Sequence, residues 1–259
     1  MNTDMKITVN PGMEHLRQFV RQLPELFPVS GEVLHDGRNQ IRAFDIGGER
    51  LVVKRYKRPS AVMYSFFRKS KARRAYEHAL RLRELGIDTP EPVAWSEYRR
   101  NGLITETYFV SRRSDFTPLT AATERFPTSD SLPVLAAFAR FTVRLHEKGI
   151  CHEDFNQTNI LWRHDEATGR YDFQLIDINR MKFLRRPLRP DECMINLRRL
   201  SCPAVAFLYI LDRYAETRQW DMDDTLLRGT FFRLLFGRRQ QFKKRFKARK
   251  LAAAGKKQG

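Results

Sequence analysis

Hydrophobic positions in the first part of the chain fall in short runs between turn signals. Residues 32–56 read as three strands, separated by Asp36-Gly37 and Gly47-Gly48, and the last carries Leu51, Val52, Val53, Lys54 and Tyr56. A further strand pair is expected around residues 93–97 and 103–110. Two segments switch to helical spacing. Residues 11–27, PGMEHLRQFVRQLPELF, predict a helix ended by Pro24 and Pro28 that leans on the sheet. Residues 69–86, KSKARRAYEHALRLRELG, predict a second, with Gly86 as its stop. Beyond them the pattern turns helical. Pro133 opens a segment with Val134, Phe138, Phe141 and Leu145 on one face and Gly149 at its end; further helices are expected at 191–200, 204–218 and from 223 toward 247. The predicted fold is α+β with two lobes, a small β-rich N-lobe (1–111) and a larger helical C-lobe (112–259).

The segment between the helical run and the next strands carries the chemistry. Residues 151–177 read CHEDFNQTNILWRHDEATGRYDFQLID, so Asp154 is followed five residues later by Asn159 and, after a predicted hairpin, by Asp177. A carboxylate that can accept a hydroxyl proton, an amide oxygen and a second carboxylate supply one general base and two Mg²⁺ ligands, the parts a phosphoryl transfer from ATP needs. The apolar runs Ile160-Leu161-Trp162 and Tyr171, Phe173, Leu175, Ile176 make the hairpin that is expected to return Asp177 beside Asn159. His152 reads as a packed histidine orienting this loop. Upstream, Lys54 ends a β-like run where a kinase carries its nucleotide-phosphate lysine, and Glu77, with Glu84 as the alternative, is the helical carboxylate expected to hold it.

LVVKRYK, FFRKSKARRAYEHALRLRELGIDTPEPVAW, LHEKGICHEDFNQTNILW and LIDINR together resemble the lipopolysaccharide core kinases, the Kdo/heptose kinase family of the protein-kinase-like fold, over roughly residues 32–211. The resemblance implies Lys54 and Glu77 in nucleotide positioning, Asp154 as general base, and Asn159 and Asp177 as Mg²⁺ ligands. It also implies an acceptor on lipid A-Kdo. Glu153 stands where many protein kinases have Arg, and Ile178 and Asn179 replace Phe-Gly after Asp177. Activation by loop phosphorylation is therefore not expected, and a glycan or small-molecule acceptor is favoured over a protein. No GxGxxG precedes Lys54; backbone amides around Asp36, Gly37 and Arg38 are the candidates for covering phosphates, and residues 111–115 for meeting adenine.

Charge narrows the partners. With 48 Lys and Arg against 30 Asp and Glu, the formal net charge is +18, and residues 228–259 hold twelve of the cations and no acid. Phe231, Phe232, Leu235, Phe236, Phe242 and Phe246 interleave with them, which fits either a terminal helix packed on the C-lobe or one lying on anionic headgroups. Two further basic stretches, 54–74 and 180–189, suit an anionic, membrane-held acceptor. Cys151, Cys193 and Cys202 form no zinc-binding spacing, no apolar run reaches the length of a membrane span and no signal peptide opens the chain. The expected location is cytoplasmic, peripheral on the inner membrane. Three function classes follow: a kinase of a lipopolysaccharide sugar, Kdo first and heptose second; a RIO-like kinase binding ribosomal RNA; and a non-catalytic ATP-binding scaffold. No RNA-binding module is recognisable, so no specific nucleic acid is expected.

Overall fold

The computed structural model describes residues 3–37, 39–57 and 69–255. Met63, Tyr64, Phe66 and Phe67 of the 54–74 stretch, Arg38 of the candidate phosphate-covering turn and the last four residues of the basic tail lie outside them.

Six strands form the N-terminal sheet: β1 (Thr3–Val9), β2 (Glu32–Asp36), β3 (Asn39–Ile46), β4 (Glu49–Lys57), β5 (Pro92–Arg100) and β6 (Leu103–Arg112). Their order is β1-β5-β6-β4-β3-β2. The five expected strands are present, and β1 is an addition, pairing antiparallel with β5 from Thr3↔Arg100 to Val9↔Ala94. Its sequence, TDMKITV, holds only three apolar residues, and the mate that makes it a strand lies some ninety residues away.

Alternation along β4 sends Leu51 and Val53 to one face and Lys54 and Tyr56 to the other. Helix α1 (Arg17–Val29) covers the first face with Phe19, Val20, Leu23 and Phe27 against Phe44, Leu51, Val53, Tyr98, Tyr108 and Val110. Each such side chain contributes on the order of 1.5–3 kcal/mol by leaving water. Helix α2 (Lys71–Glu84), capped by Ser70 accepting from the Arg73 amide, lies on the opposite face, where Ala72 and Tyr76 meet Tyr56 and Trp95.

Helix α1 corrects one expectation, because it runs through Pro24 and Pro28 to Val29. Proline has no N–H, so Pro24 leaves the Val20 carbonyl without its helical donor. The buried Tyr98 hydroxyl takes that place, donating to the Val20 oxygen at 2.9 Å. A tertiary contact thus satisfies what the local sequence breaks.

The remaining elements are β7 (Thr117–Pro118), α3 (Thr120–Glu124), α4 (Ser131–Glu147), β8 (Ile150–His152), β9 (Ile160–Asp165), β10 (Arg170–Leu175), β11 (Met181–Phe183), α5 (Pro190–Leu197), α6 (Ala204–Arg218) and α7 (Met222–Gly255). Helices α4 and α6 bury Val134, Phe138, Phe141 and Leu145 with Phe207, Ile210, Leu211 and Tyr214. Gly149, the expected stop of α4, is obligatory: its φ is +71°, and a Cβ there would sit 2.4 Å from the Leu184 carbonyl oxygen and 2.5 Å from that of Arg186.

The chain divides into two compact units. One is Met1–Thr117 with Leu161–Arg163 and Asp172–Met181; the other is Pro118–Ile160, His164–Tyr171 and Lys182–Gly259. The Asp177 segment therefore packs with the N-terminal sheet, an excursion that a single cut between 111 and 112 does not contain. Within that unit the Thr89 hydroxyl donates to the Leu175 carbonyl at 2.7 Å, and the Leu175 amide donates to the Asp88 carbonyl at 3.1 Å.

Replacing Tyr98 by Phe should cost about 1–2 kcal/mol, since it strands the buried Val20 carbonyl while keeping the ring. Urea unfolding of the variant measures this; an unchanged midpoint would mean that the α1 carbonyl finds another donor.

Candidate active site

Two side-chain constellations hold the candidate residues, one in each unit. In the N-terminal unit, β4 presents Lys54, whose Nζ donates to Asp177 Oδ1 at 2.5 Å, with side-chain exposures of 12% and 27%. Asn179 Nδ2 donates to the same oxygen at 2.6 Å, and its side chain also hydrogen-bonds Tyr56. The Lys54 ammonium stands 5.5 Å from the Tyr56 ring centre, close enough for a cation–π attraction. Burial, then the neighbouring Asp177 carboxylate, push the Tyr56 hydroxyl well above its ordinary pKa, so it serves as a neutral hydrogen-bonding group. Asp177 has φ 53° and ψ 40°, the left-handed region that Asp and Asn enter more readily than other residues with a Cβ.

The expected partner of Lys54 is corrected. Glu77 binds Lys69 at 2.7 Å and Arg73 at 2.9 Å. Burial opposes ionisation of Glu77, but the hydrogen bonds and charges of these two cations outweigh it and hold the carboxyl below its usual range. The reason is helix rotation. Ala72, Ala75, Tyr76, Ala79 and Leu82 face inward. At 100° per residue Glu77 and Glu84 project roughly opposite this stripe, and Glu84 is exposed. What ties α2 to the Asp177 segment is His78, whose Nδ1 lies 2.7 Å from the Ile178 carbonyl. The carbonyl can only accept, so Nδ1 carries the proton. Burial lowers the pKa of His78, favouring this neutral form.

In the C-terminal unit, residues 152–159 form a tight loop around Asp154. Its amide donates to His152 Nδ1 at 3.0 Å, and its carbonyl accepts from Asn159 Nδ2 at 3.0 Å and from the Asn156 amide at 2.9 Å. Asn156 caps the following 3₁₀ turn, its Oδ1 accepting from the Thr158 amide at 2.9 Å. Gln157 is anchored by the Ser201 amide and hydroxyl at 2.9 and 3.0 Å. Asp154 and Asn159 are thus held as one rigid piece. Lys182 meets Glu153 at 2.5 Å, so Glu153 holds a cation where a protein kinase's arginine would hold an anion.

Behind the loop runs a buried relay that the sequence did not announce. Tyr214 O–H donates to His146 Nδ1 (2.9 Å), His146 Nε2–H to Asn196 Oδ1 (3.1 Å), and Asn196 Nδ2–H to the His152 carbonyl (2.7 Å). Burial pushes the pKa of His146 down to about 4, despite the opposing hydrogen bond to Asn196. A neutral imidazole fits this donor–acceptor pattern, since a protonated ring could not accept from Tyr214. Phe155, fully buried between Phe138, His146 and His152, fixes the loop from the apolar side. A weak sequence signal existed: His146 interrupts the apolar stripe of α4.

Of the five residues singled out, Lys54 and Asp177 are joined in one unit and Asp154 and Asn159 in the other, while Glu77 stands apart. An aspartate carboxylate and an asparagine amide oxygen are hard donors suited to Mg²⁺. The Asn159 amide points its nitrogen at the loop, which turns its oxygen, the atom a cation would use, the other way.

Comparison with known proteins decides the family. The model of the lipopolysaccharide kinase (Kdo/WaaP) family matches residues 53–219, a span that includes Lys54, Asp154, Asn159 and Asp177. The chain belongs to this family. Among solved structures, this kinase is similar to WaaP in complex with acyl carrier protein, at 16% identity and a TM-score of 0.61, over 92% of this chain and 98% of that one. It is similar too to the aminoglycoside-3'-phosphotransferase of type VIII, at 19% identity and a TM-score of 0.56, over 85% and 98%. These likenesses show an α+β kinase-like fold, with a sheet in the N-terminal region and helices in the C-terminal region. The comparison with curated proteins found no match.

Two outcomes test the relay. Asn196→Ala removes the donor to the His152 carbonyl and the acceptor of the buried His146 N–H, and should destabilise the kinase by about 2–3 kcal/mol in urea titrations. His146 sets a pH dependence. Its folded pKa of about 4 lies below the roughly 6.5 of an unfolded histidine, so between the two the unfolded chain binds the extra proton. Stability from neutral His146 is complete above pH 6.5 and falls as pH drops toward 4, by about 3 kcal/mol in all. The stability gap between wild type and His146→Gln should shrink over that range, and a gap constant from pH 7 to 4 would refute the assignment.

Proposed function

We propose that the protein transfers the γ-phosphoryl group of ATP to a sugar hydroxyl of the lipopolysaccharide inner core, on Kdo in the first place and heptose in the second. The observation that carries this reading is the Asp154 loop, pinned by His152 and Asn159, within the span matched by the lipopolysaccharide kinase family.

In this reading Asp154 accepts the proton of the acceptor hydroxyl as its oxygen bonds to the γ-phosphorus, and the bond to the β–γ bridging oxygen breaks to release ADP. Lys54 neutralises charge on the nucleotide phosphates. Asn159 and Asp177 would hold Mg²⁺, which supplies further charge neutralisation when bound. The Lys54–Asp177 contact keeps the cation-binding carboxylate and the phosphate-binding ammonium in mutual register. Asn179 is a positioning residue, because its amide fixes the oxygen that Lys54 also uses.

The partners assigned are a lipid A-Kdo acceptor and the anionic cytoplasmic face of the inner membrane, which a net charge of +18 suits. No helix among the described residues is long and apolar enough to cross a membrane, so attachment would be peripheral. By likeness to the WaaP complex, acyl carrier protein is a further partner to try in the same assay.

Incubation of the purified protein with labelled ATP and, separately, Kdo-lipid A, a heptosylated acceptor and ribosomal RNA should label Kdo-lipid A most. Label on RNA alone would establish the RIO-like alternative instead, and label on none the scaffold. Asp154→Asn should lower turnover on the order of 10²- to 10⁴-fold. Asp177→Asn should also abolish turnover, and it retains a residue that tolerates the left-handed backbone, so folding is spared. Glu77→Ala removes two partly exposed ion pairs that do not involve Lys54 and should leave turnover within about twofold.

A further inference from the structure

Helix α7 is a single helix of 34 residues, about 50 Å long, entirely within the C-terminal unit. Its two sides differ. Thr225 and Gly229 are buried, and the approach at Gly229 is so close that a Cβ would fall 2.4 Å from a Leu211 methyl. Arg233 donates to the Cys202 carbonyl and lies over the Phe207 ring, and Phe236 lies beneath Arg198 and Arg199. These residues form the inner side of the helix.

The opposite side carries Leu227, Phe231, Leu234, Phe242 and Phe246, each between 59% and 72% exposed. At 100° per residue the five fall within an arc of about 120°, roughly facing away from Thr225, Gly229 and Phe236. Arg238 and Arg245 share the arc, and Arg239 flanks it. From residue 228 onward the chain has twelve Lys and Arg and no Asp or Glu. The phenylalanines expected to act together are therefore divided: Phe236 secures the helix, and Phe231, Phe242 and Phe246, joined by Leu227 and Leu234, face outward.

We infer that the outer stripe of α7 is a membrane-docking face, which inserts its Leu and Phe side chains among acyl chains at the surface of an anionic bilayer. The occupant follows from the mixture. A protein groove would suit the apolar stripe alone, whereas cations set within and beside it, with no acid on the helix after Asp224, match a surface that offers hydrocarbon and negative headgroups together. The Gly229, Arg233 and Phe236 contacts hold the first half of the helix against the protein, so the stripe is presented on a fixed support. This deepens the proposed function by naming how a glycolipid kinase reaches its leaflet, and it rests on that reading for its purpose but not for its test.

The test measures binding apart from catalysis. Intact protein should sediment with phosphatidylcholine vesicles containing phosphatidylglycerol, far less with phosphatidylcholine alone, and less again at high salt. Two variants, Leu227→Ser/Phe231→Ser/Leu234→Ser and Phe242→Ser/Phe246→Ser, should each lose at least about tenfold in partitioning, because the buried apolar surface drives insertion. Their circular dichroism and their phosphorylation of a detergent-dispersed acceptor should match wild type, as exposed positions contribute little to folding. Undiminished vesicle binding by both variants, or no binding by the intact protein, overturns the proposal. So does a dimer in sedimentation velocity that the serine variants dissociate while vesicles go unbound, which would assign the stripe to a second copy. Failure of the kinase reading would appear differently, as vesicle binding without phosphoryl transfer.

Discussion

The contact between Lys54 and Asp177 organises the N-terminal half of the chemistry. It joins a strand in the middle of the sheet to a segment more than a hundred residues later, at 2.5 Å and largely out of water. Such a pair lies between the roughly 1 kcal/mol typical of exposed ion pairs and the 3–5 kcal/mol lost when a buried pair is broken. Its surroundings are built to keep it. Asn179 shares the carboxylate oxygen, Tyr56 lies under the ammonium and His78 fixes the backbone at Ile178. Asp177 itself occupies a backbone conformation that is costly for most residues, which these contacts stabilise.

The Asp154 loop is stabilised by a different device. Its geometry descends from a chain of neutral hydrogen bonds that starts at Tyr214 and passes through His146 and Asn196 to His152. Neutral networks in a dry interior are directional and lose much when one member is removed. A loop positioned this way keeps its orientation through directional contacts between neutral groups. Charge is instead concentrated on the outside, in the basic face and tail of α7.

Much of this was legible along the chain. The 3.6-residue and two-residue periodicities located the three strands between residues 32 and 56, the next strand pair, α2, α4, α5, α6 and α7. The nearness of Asp154 and Asn159 was legible too, because loop geometry is set by near neighbours: Asn159 reaches the Asp154 carbonyl across five residues. Strand β1 and the passage of α1 through two prolines were not, since each depends on a partner far away in sequence, β5 for one and the Tyr98 hydroxyl for the other.

The sequence by itself therefore determined most of the larger elements, which residue types meet in the Asp154 loop and that the C-terminal segment is basic and amphipathic. Tertiary structure alone decided who pairs with whom. Glu77 and Lys54 stood in plausible order, but the rotation of α2 is set by Ala72, Ala75, Tyr76, Ala79 and Leu82 seeking the sheet, and that rotation gives Glu77 to Lys69 and Arg73 and leaves Lys54 to Asp177. The same holds for α7, where packing at Gly229 chooses which phenylalanines are inside. Periodicity records that a helix has two sides; only burial of one against a particular neighbour fixes which side each ambiguous residue joins.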